Sequence, residues 1–365
     1  MNICIIGDGL TSLSLAKNLI NKKINVHIYH KKIAGNYSSG RTIGLSKNNL
    51  NFFEKNIIKL PKKIKWEIKK IEIYSEKLKK NKILNFQNNN ENLFYMIKND
   101  ELYKSLNREL SKNKLFKKKI IKEDSFYDKL IKKNNYDLII NCDQNNPITK
   151  KYFIKKIIKD YKNFAYTTIL EHKKLANNSA IQIFTKQGPV AFLPISNTKT
   201  SVVCSFDTTN KNYNDNEILE LIKKHNPKFK IKKNSKPINF ALKFSNLRKY
   251  YHINILAFGE LLHKIHPLAG QGFNMTIRDI KDLSDIIQNK INLGLQLDTF
   301  ILEEFQKKTK NRNFIFSSGI DFIYEFFNFD KKKDGKTLNK ILQYFGTHKT
   351  FISSIIKFAD KGLSI

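Results

Sequence analysis

The chain has 365 residues, which allows a large core and about two domains, and its apolar fraction of 41% excludes a disordered polypeptide. Three scattered cysteines, Cys4, Cys142 and Cys204, exclude a disulfide framework and show no metal-binding spacing, so no metal is expected and a reducing compartment is the simple reading. The formal charge of +35 invites nucleic acid or an anionic membrane, but the lysines run through the whole chain and arginine is scarce, a pattern that AT-rich codon usage produces over solvated faces.

Nucleic acid is therefore not an expected partner, and peripheral attraction to an anionic membrane is retained as a lesser alternative. Residues 1–20 lack the basic opening and cleavage site of a secretory signal, and no apolar run approaches the length of a membrane span. The expected location is cytoplasmic, with peripheral contact at the inner membrane face as the accessory reading.

The first elements follow βαβ logic. Residues 2–6 form an apolar run typical of a buried parallel strand. A glycine turn comes next, then Leu13, Ala16, Leu19 and Ile20 at helical spacing, then a strand over 24–29. Residues 46–58 read as a helix. Residues 62–98 read as strands with a polar turn at 87–92, and 99–113 as a helix opening at Asp100. A buried strand is expected at 136–142.

Residues 164–206 alternate apolar and polar positions, punctuated by Gly188-Pro189 and Pro194, and predict antiparallel strands of a second domain. Residues 217–225 read as a helix and 253–258 as another buried strand. The spacing of Phe273, Ile277, Ile280, Leu283 and Ile287 predicts a helix from Gly272. The tail from about residue 297 is helical in pattern, and Phe351, Ile352, Ile355, Ile356 and Ala359 form an apolar stripe read as core packing ahead of a membrane or partner face. The pieces at 2–6, 25–29, 138–142 and 253–258 are expected to share one sheet.

The turn after the first strand reads Gly7-Asp8-Gly9-Leu10-Thr11-Ser12, the GxGxxG spacing with serine in the last place. Gly7 permits the tight turn, Gly9 leaves room for a pyrophosphate, and Ser12 lets the helix lie close to the sheet. The backbone N–H groups and helix dipole then face the phosphates. The end of the second strand, where a carboxylate usually accepts a ribose hydroxyl, holds His30, or Tyr29 if the strand slips by one. A second glycine turn, Gly270-Gln271-Gly272, opens the helix after a buried strand and offers positive dipole to an anionic group such as a reduced flavin.

Residues 259–275, GELLHKIHPLAGQGFNM, resemble the corresponding stretch of the ubiquinone-biosynthesis hydroxylases, within the class A FAD-dependent aromatic monooxygenases. The likeness is carried by His263, His266-Pro267-Leu268-Ala269-Gly270-Gln271-Gly272 and Asn274. Arg41-Thr42-Ile43-Gly44-Leu45, Leu93-Phe94-Tyr95, the strand Gly188 to Pro194, and Arg312 with the aromatic run Phe322 to Phe327 agree in order. Departures fall at Gly259-Glu260, where the family has Gly-Asp, and at the segment from Cys142-Asp143-Gln144 to Lys150, which keeps the aspartate but lacks the family's glycine, serine and arginine. With His30, three cofactor-linked positions are altered. At about 1 kcal/mol each this lowers affinity by about two decades and leaves binding in place.

The resemblance implies an α/β fold with a Rossmann-like FAD-binding domain, an inserted mixed or antiparallel β-sheet substrate domain and C-terminal helices. The expected division is 1–65, 99–163 and 253–295 for FAD, 66–98 and 164–252 for substrate, and 296–365 for the helical tail. FAD contacts are implied at Gly7, Gly9, Leu10, Thr11, Ser12, His30, Arg41, Asp143, Gly259, Glu260, Pro267, Ala269, Gly270, Gln271, Gly272, Phe273 and Asn274, and chemistry at Pro267, His266 and His263. The implied reaction hydroxylates the ring of a polyprenylated phenol or quinone precursor through a flavin hydroperoxide, with NADPH or NADH as reductant and dioxygen as oxidant. Other quinone-biosynthesis proteins are implied partners. The altered positions leave one alternative, a catalytically weak or inactive FAD-binding scaffold subunit.

Overall fold

The computed structural model describes residues 1–31, 40–76, 82–87, 91–133, 135–207, 213–267, 270–332 and 349–362. The chain opens with β1 (Asn2–Ile6), α1 (Leu10–Asn21) and β2 (Asn25–Lys31). β3 (Thr42–Ser46), α2 (Lys47–Asn56), β4 (Trp66–Ile68), β5 (Lys70–Ser75), β6 (Lys82–Gln87), β7 (Phe94–Lys98) and α3 (Asn99–Ser111) follow. Next come β8 (Phe116–Ile121), α4 (Ser125–Lys133), β9 (Leu138–Asn141), α5 (Pro147–Tyr152) and the long β10 (Lys156–His172). β11 (Ser179–Phe184), β12 (Pro189–Pro194), β13 (Lys199–Asp207), α6 (Asp215–Lys224), β14 (Ile231–Asn234) and β15 (Ile238–Leu247) continue the chain. It closes with β16 (Tyr251–His252), β17 (Ile255–Ala257), β18 (His263–Lys264), α7 (Gln271–Asn292), α8 (Thr299–Lys332) and α9 (Lys349–Lys361).

The buried apolar strands assemble as their composition demands. A six-stranded sheet has the order β16-β17-β9-β1-β2-β8. Every pair from β17 to β8 is parallel. Ile3, Ile5, Ile6, Val26, Ile28, Ile139 and Ile140 are buried in one core with α1, α3, α7 and the start of α8. The four pieces expected to share a sheet do so. β8, sequence FKKKII, is the unread edge strand: Lys117 and Lys119 face water and Lys118 turns in to Asp8 on a strand with one neighbour, so neither alternation nor a continuous apolar run marks it.

A second, nine-stranded sheet runs β18-β15-β10-β13-β12-β11-β5-β6, with β14 on β10. The segment 164–206 is antiparallel as expected, Phe164 opposing Phe206 and Val190 opposing Cys204. The β5–β11 pair is parallel, so the sheet is mixed. It has its own core, where Val190, Phe192, Val202, Cys204 and Phe206 meet Ile218 and Ile222 of α6. The strands between 62 and 98 divide: β5 and β6 extend this sheet, while β7 pairs with β3 on one side and β4 on the other in a three-stranded sheet. The fold is α/β with a Rossmann-like sheet, a mixed sheet and C-terminal helices.

β3, α4, β14, β15 and β16 were not marked by periodicity. β14 and β15 carry lysines and are parted by Pro237, and their place comes from pairing with β10. The last helix docks inward through its described side chains: Phe358 stacks on Phe316 at 4.6 Å, and Asp360 accepts from the Asn48 backbone N–H at 2.9 Å. Ile356 packs beside Ile71, Ile73 and Leu93, whereas the side chains of Phe351, Ile352, Ile355 and Ala359 lie outside the described residues. No described helix is long and apolar enough to cross a membrane.

Candidate functional site

The glycine turn forms as the spacing requires. Gly7 adopts φ +114°, a conformation that suits glycine, and its N–H donates to the Tyr29 carbonyl at 2.9 Å. This bond sets the turn beside the end of β2. A Cβ on Gly7 would lie 3.3 Å from Ser12 Oγ and 3.5 Å from Asp143 N, so the turn is wedged between its own helix and the segment after β9. A Cβ on Gly9 would meet nothing within 4 Å, which leaves the open ground a phosphate needs. α1 begins at Leu10 with no side-chain cap, and the N–H groups around Thr11 and Ser12 remain open to an anion.

The late segment comes to the same place. Gly259 has φ +66°, and a Cβ on it would sit 2.6 Å from Thr11 Cγ2. Gln144 Nε2 donates to Glu260 Oε2 at 3.3 Å, so two of the sequence departures are partners. Asp143 holds a local turn, accepting from Asn145 N at 2.9 Å, while its carbonyl accepts from Thr149 Oγ1 at 2.6 Å.

The second turn also lacks a side-chain cap. Gly270 is left-handed at φ +62° and precedes the first residue of α7. A Cβ on it would lie 3.7 Å from Gly44 N, which brings β3 to the turn. Pro267 is half-buried, its carbonyl accepting from Gly270 N at 3.2 Å. Gly272 is unencumbered and Phe273 packs on the main core. Leu268 and Ala269 lie outside the described residues. Gln271 is 8% exposed and its Oε1 has no hydrogen-bond partner among the described residues. An orphaned buried acceptor at an uncapped helix start, together with the open ground at Gly9, fits an extended cofactor that carries anionic and N–H groups.

Three of the expected site residues are held by the fold's own contacts. Asn274 has no amide atom to spare: Nδ2 donates to the carbonyls of Gly44 at 2.8 Å and Gly270 at 3.2 Å, and Oδ1 accepts from Ser46 N and Asn49 Nδ2, each at 3.0 Å. The amide ties α7 to β3 and α2, so any contact of Asn274 with a cofactor falls to its backbone. His263 is buried and its Nε2 lies 2.6 Å from Asp279 Oδ2. Asn313 Nδ2 bonds the other Asp279 oxygen at 2.9 Å, and Arg312 lies 3.6 Å from it and 2.6 Å from Asp282. That network joins α7 to α8 and holds the buried His263.

His266 is the third. It is 2% exposed, stacks on Tyr324 at 4.1 Å and meets Tyr161 edge-on at 5.5 Å. Its Nε2 lies 3.2 Å from Ser205 Oγ. Burial pushes the imidazole from its ordinary 6.5 down to about 3, too low for a base poised near neutral pH. Tyr161 donates to Asp321 at 2.5 Å, and burial pushes its phenol well above the ordinary range. Arg41 stacks its guanidinium 4.3 Å over Phe240, on the mixed-sheet side.

Sequence reading missed the residues around His266 (Tyr161, Ser205 and Tyr324), which no spacing links. It also missed Asp8, in plain view between the two glycines. Asp8 meets Lys118 at 2.7 Å, Tyr103 at 2.9 Å and His30 at 3.8 Å. A cavity of about 440 Å³, lined by Asn135, Asp137, Asn254 and Asp298 among others, opens where β9 and β17 begin. That is the opposite end of the sheet from the glycine turn, and open parallel sheets take ligands beyond their carboxyl ends.

No family model matches the chain. Among curated proteins it is 31% identical over 158 residues to the 3-demethoxyubiquinol 3-hydroxylase of Escherichia coli K12, covering 41% of this chain and 40% of that one. It is 23% identical to the mitochondrial ubiquinone biosynthesis monooxygenase COQ6 of Dictyostelium discoideum, covering 89% of this chain and 84% of the relative. Among solved structures, p-nitrophenol 4-monooxygenase PnpA from Pseudomonas putida DLL-E4 superposes with a TM-score of 0.77 at 11% identity, over 100% of this chain and 98% of that chain. Klebsiella pneumoniae HpxO, solved with FAD and uric acid, gives 0.73 at 10% identity, over 99% and 96%. The structural likeness bears on the fold, and the sequence likeness is to the ubiquinone-biosynthesis hydroxylases.

Proposed function

We propose that the chain is an FAD-dependent monooxygenase that hydroxylates the aromatic ring of a polyprenylated ubiquinone precursor, using NADPH or NADH and dioxygen. The observation that carries this reading is the contact between Gly259 and Thr11, which sets the late motif against the early phosphate turn. The curated relatives supply the substrate class, and the orphaned Gln271 Oε1 at the α7 terminus supplies the second anchor.

In this reading the α1 terminus, with Gly9 bare beneath it, holds the diphosphate, and Ser12 lets the helix approach the sheet. Asp143, Gly259 and Glu260 lie alongside. Pro267, Gly270, Gln271, Gly272 and Phe273 border the ring system. FAD would supply the redox chemistry, and the protein's task is to orient the partners and keep water out. The buried wall of His266, Tyr161 and Tyr324 is apolar on its faces and suits a phenolic ring. Neutral His266 and protonated Tyr161 can donate or accept hydrogen bonds there without adding charge.

The division into a discontinuous cofactor domain, a substrate domain and a helical tail belongs to this proposal and is supported by the separate cores of the two large sheets. So does peripheral attraction to an anionic inner membrane face, supported by the charge of +35. Purified protein should carry or take up FAD and oxidise NADPH faster when a prenylated phenol is added. A colourless protein that binds no FAD would remove the proposal. Quinone-intermediate profiling in a deletion strain would name the ring position from the intermediate that accumulates.

A further inference from the structure

Asp8 stands between the two glycines of the phosphate turn, where a carboxylate ought to repel a diphosphate. It is 9% exposed and is gripped from three directions. Lys118 Nζ of β8 lies 2.7 Å from Oδ1, and Tyr103 of α3 donates to Oδ2 at 2.9 Å. His30 Nδ1, at the end of β2, lies 3.8 Å from Oδ2. Lys118 offsets the charge of Asp8, so the turn keeps its positive character.

The geometry also sets the histidine's tautomer. His30 Nδ1 lies 3.0 Å from the Lys31 carbonyl oxygen, with the Asp8 carboxylate behind it. Both neighbours are acceptors only, so in the neutral ring Nδ1 carries the hydrogen and Nε2 keeps a bare lone pair. Nε2 has no hydrogen-bond partner among the described residues. His30 stands near the end of β2, where a carboxylate accepts a ribose hydroxyl in dinucleotide-binding βαβ units.

Resting on the FAD reading above, we infer that Asp8 is a positioning residue whose carboxylate, behind the Lys31 carbonyl that bonds Nδ1, reinforces the His30 tautomer, so that His30 Nε2 accepts a hydroxyl of the adenosine ribose in place of the missing carboxylate. Lys118 and Tyr103 hold Asp8 for that task. The negative charge is thereby moved from the strand end into the turn.

The test measures FAD and FMN dissociation constants by flavin fluorescence, with thermal melts to confirm folding. FMN has no adenosine and serves as the internal control. His30→Ala should weaken FAD about tenfold, which corresponds to about 1.4 kcal/mol, and leave FMN unchanged. His30→Gln, which retains an acceptor, should recover to within about threefold of the parent. Asp8→Asn should weaken FAD in the parent but add nothing in the His30→Ala background, because it acts through His30. A parent protein that binds no FAD would sink the FAD reading and this inference together. FAD binding in the parent with His30→Ala indistinguishable from it, equal losses for FAD and FMN, or additive Asp8 and His30 effects would overturn the inference alone.

Discussion

Gly259 and Thr11 are separated by most of the chain, yet the missing side chain of one makes room for the methyl of the other, a Cβ on Gly259 falling 2.6 Å from Thr11 Cγ2. The first turn of α1 and the segment after β17 can meet only because that position is bare. Gly259→Ala should therefore fail on two counts. The clash separates the segments, and φ +66° costs alanine about 1–2 kcal/mol. Thr11→Ala in the same chain should recover the part due to the clash and leave the part due to the backbone. Urea unfolding and FAD affinity of the single and double variants check this, and equal losses in both would show that the contact is not what matters.

Asn274 gives a sharper measure of how the second turn is built. All four amide hydrogen-bonding positions are taken by Gly44, Gly270, Ser46 and Asn49. Asn274→Asp keeps the shape and the acceptors but loses both donors, leaving two buried carbonyls facing a carboxylate. A loss of about 2–4 kcal/mol in unfolding free energy is expected, larger than a single net hydrogen bond. FAD retention should fall with it, since Gly270 is no longer anchored. A stability change below about 0.5 kcal/mol would contradict the network.

The buried pair His263 and Asp279 separates structure from chemistry. Asp279→Ala leaves the buried His263 Nε2 and Asn313 Nδ2 without their acceptor, while Arg312 keeps Asp282, and should cost about 1–3 kcal/mol for each group left unsatisfied. His263→Gln keeps a hydrogen-bonding group beside Asp279. The folded fraction of that variant should retain its turnover and the parent pH profile. Loss of one limb of the profile would instead make His263 a proton carrier.

The βαβ opening was legible because Ile3 to Ile6 and the glycine turn are local signals: a buried strand, a turn only glycine suits, and helical spacing after it. Gly270 was legible for the same reason. The role of Asn274 was not, because its four partners come from β3, α2 and its own turn, and no local pattern announces a long-range hydrogen bond. β8 was illegible because a lysine-rich edge strand depends on pairing with β2 for its shape. His266 stood out as a histidine in a motif, and its neutrality follows from Tyr161, Tyr324 and Ser205 closing around it. The altered positions Gln144 and Glu260 looked like losses one at a time and turn out to bond each other.

His266 makes the stability of the whole chain depend on pH in a predictable direction. Its imidazole is held at about 3 when folded and returns to about 6.5 when the chain unfolds. Below about pH 6.5 the unfolded chain binds a proton that the folded chain refuses, so protons favour unfolding. Stability from this group is complete above that pH and falls by up to about 1.4 kcal/mol for each pH unit on the way down toward pH 3. The parent should therefore lose stability between pH 7 and pH 5 in urea titrations. His266→Phe, which preserves the stack on Tyr324 and cannot take up a proton, should lose distinctly less over the same interval. Parallel curves for the two proteins would show that some other group governs the slope and that His266 is not shielded as its contacts imply.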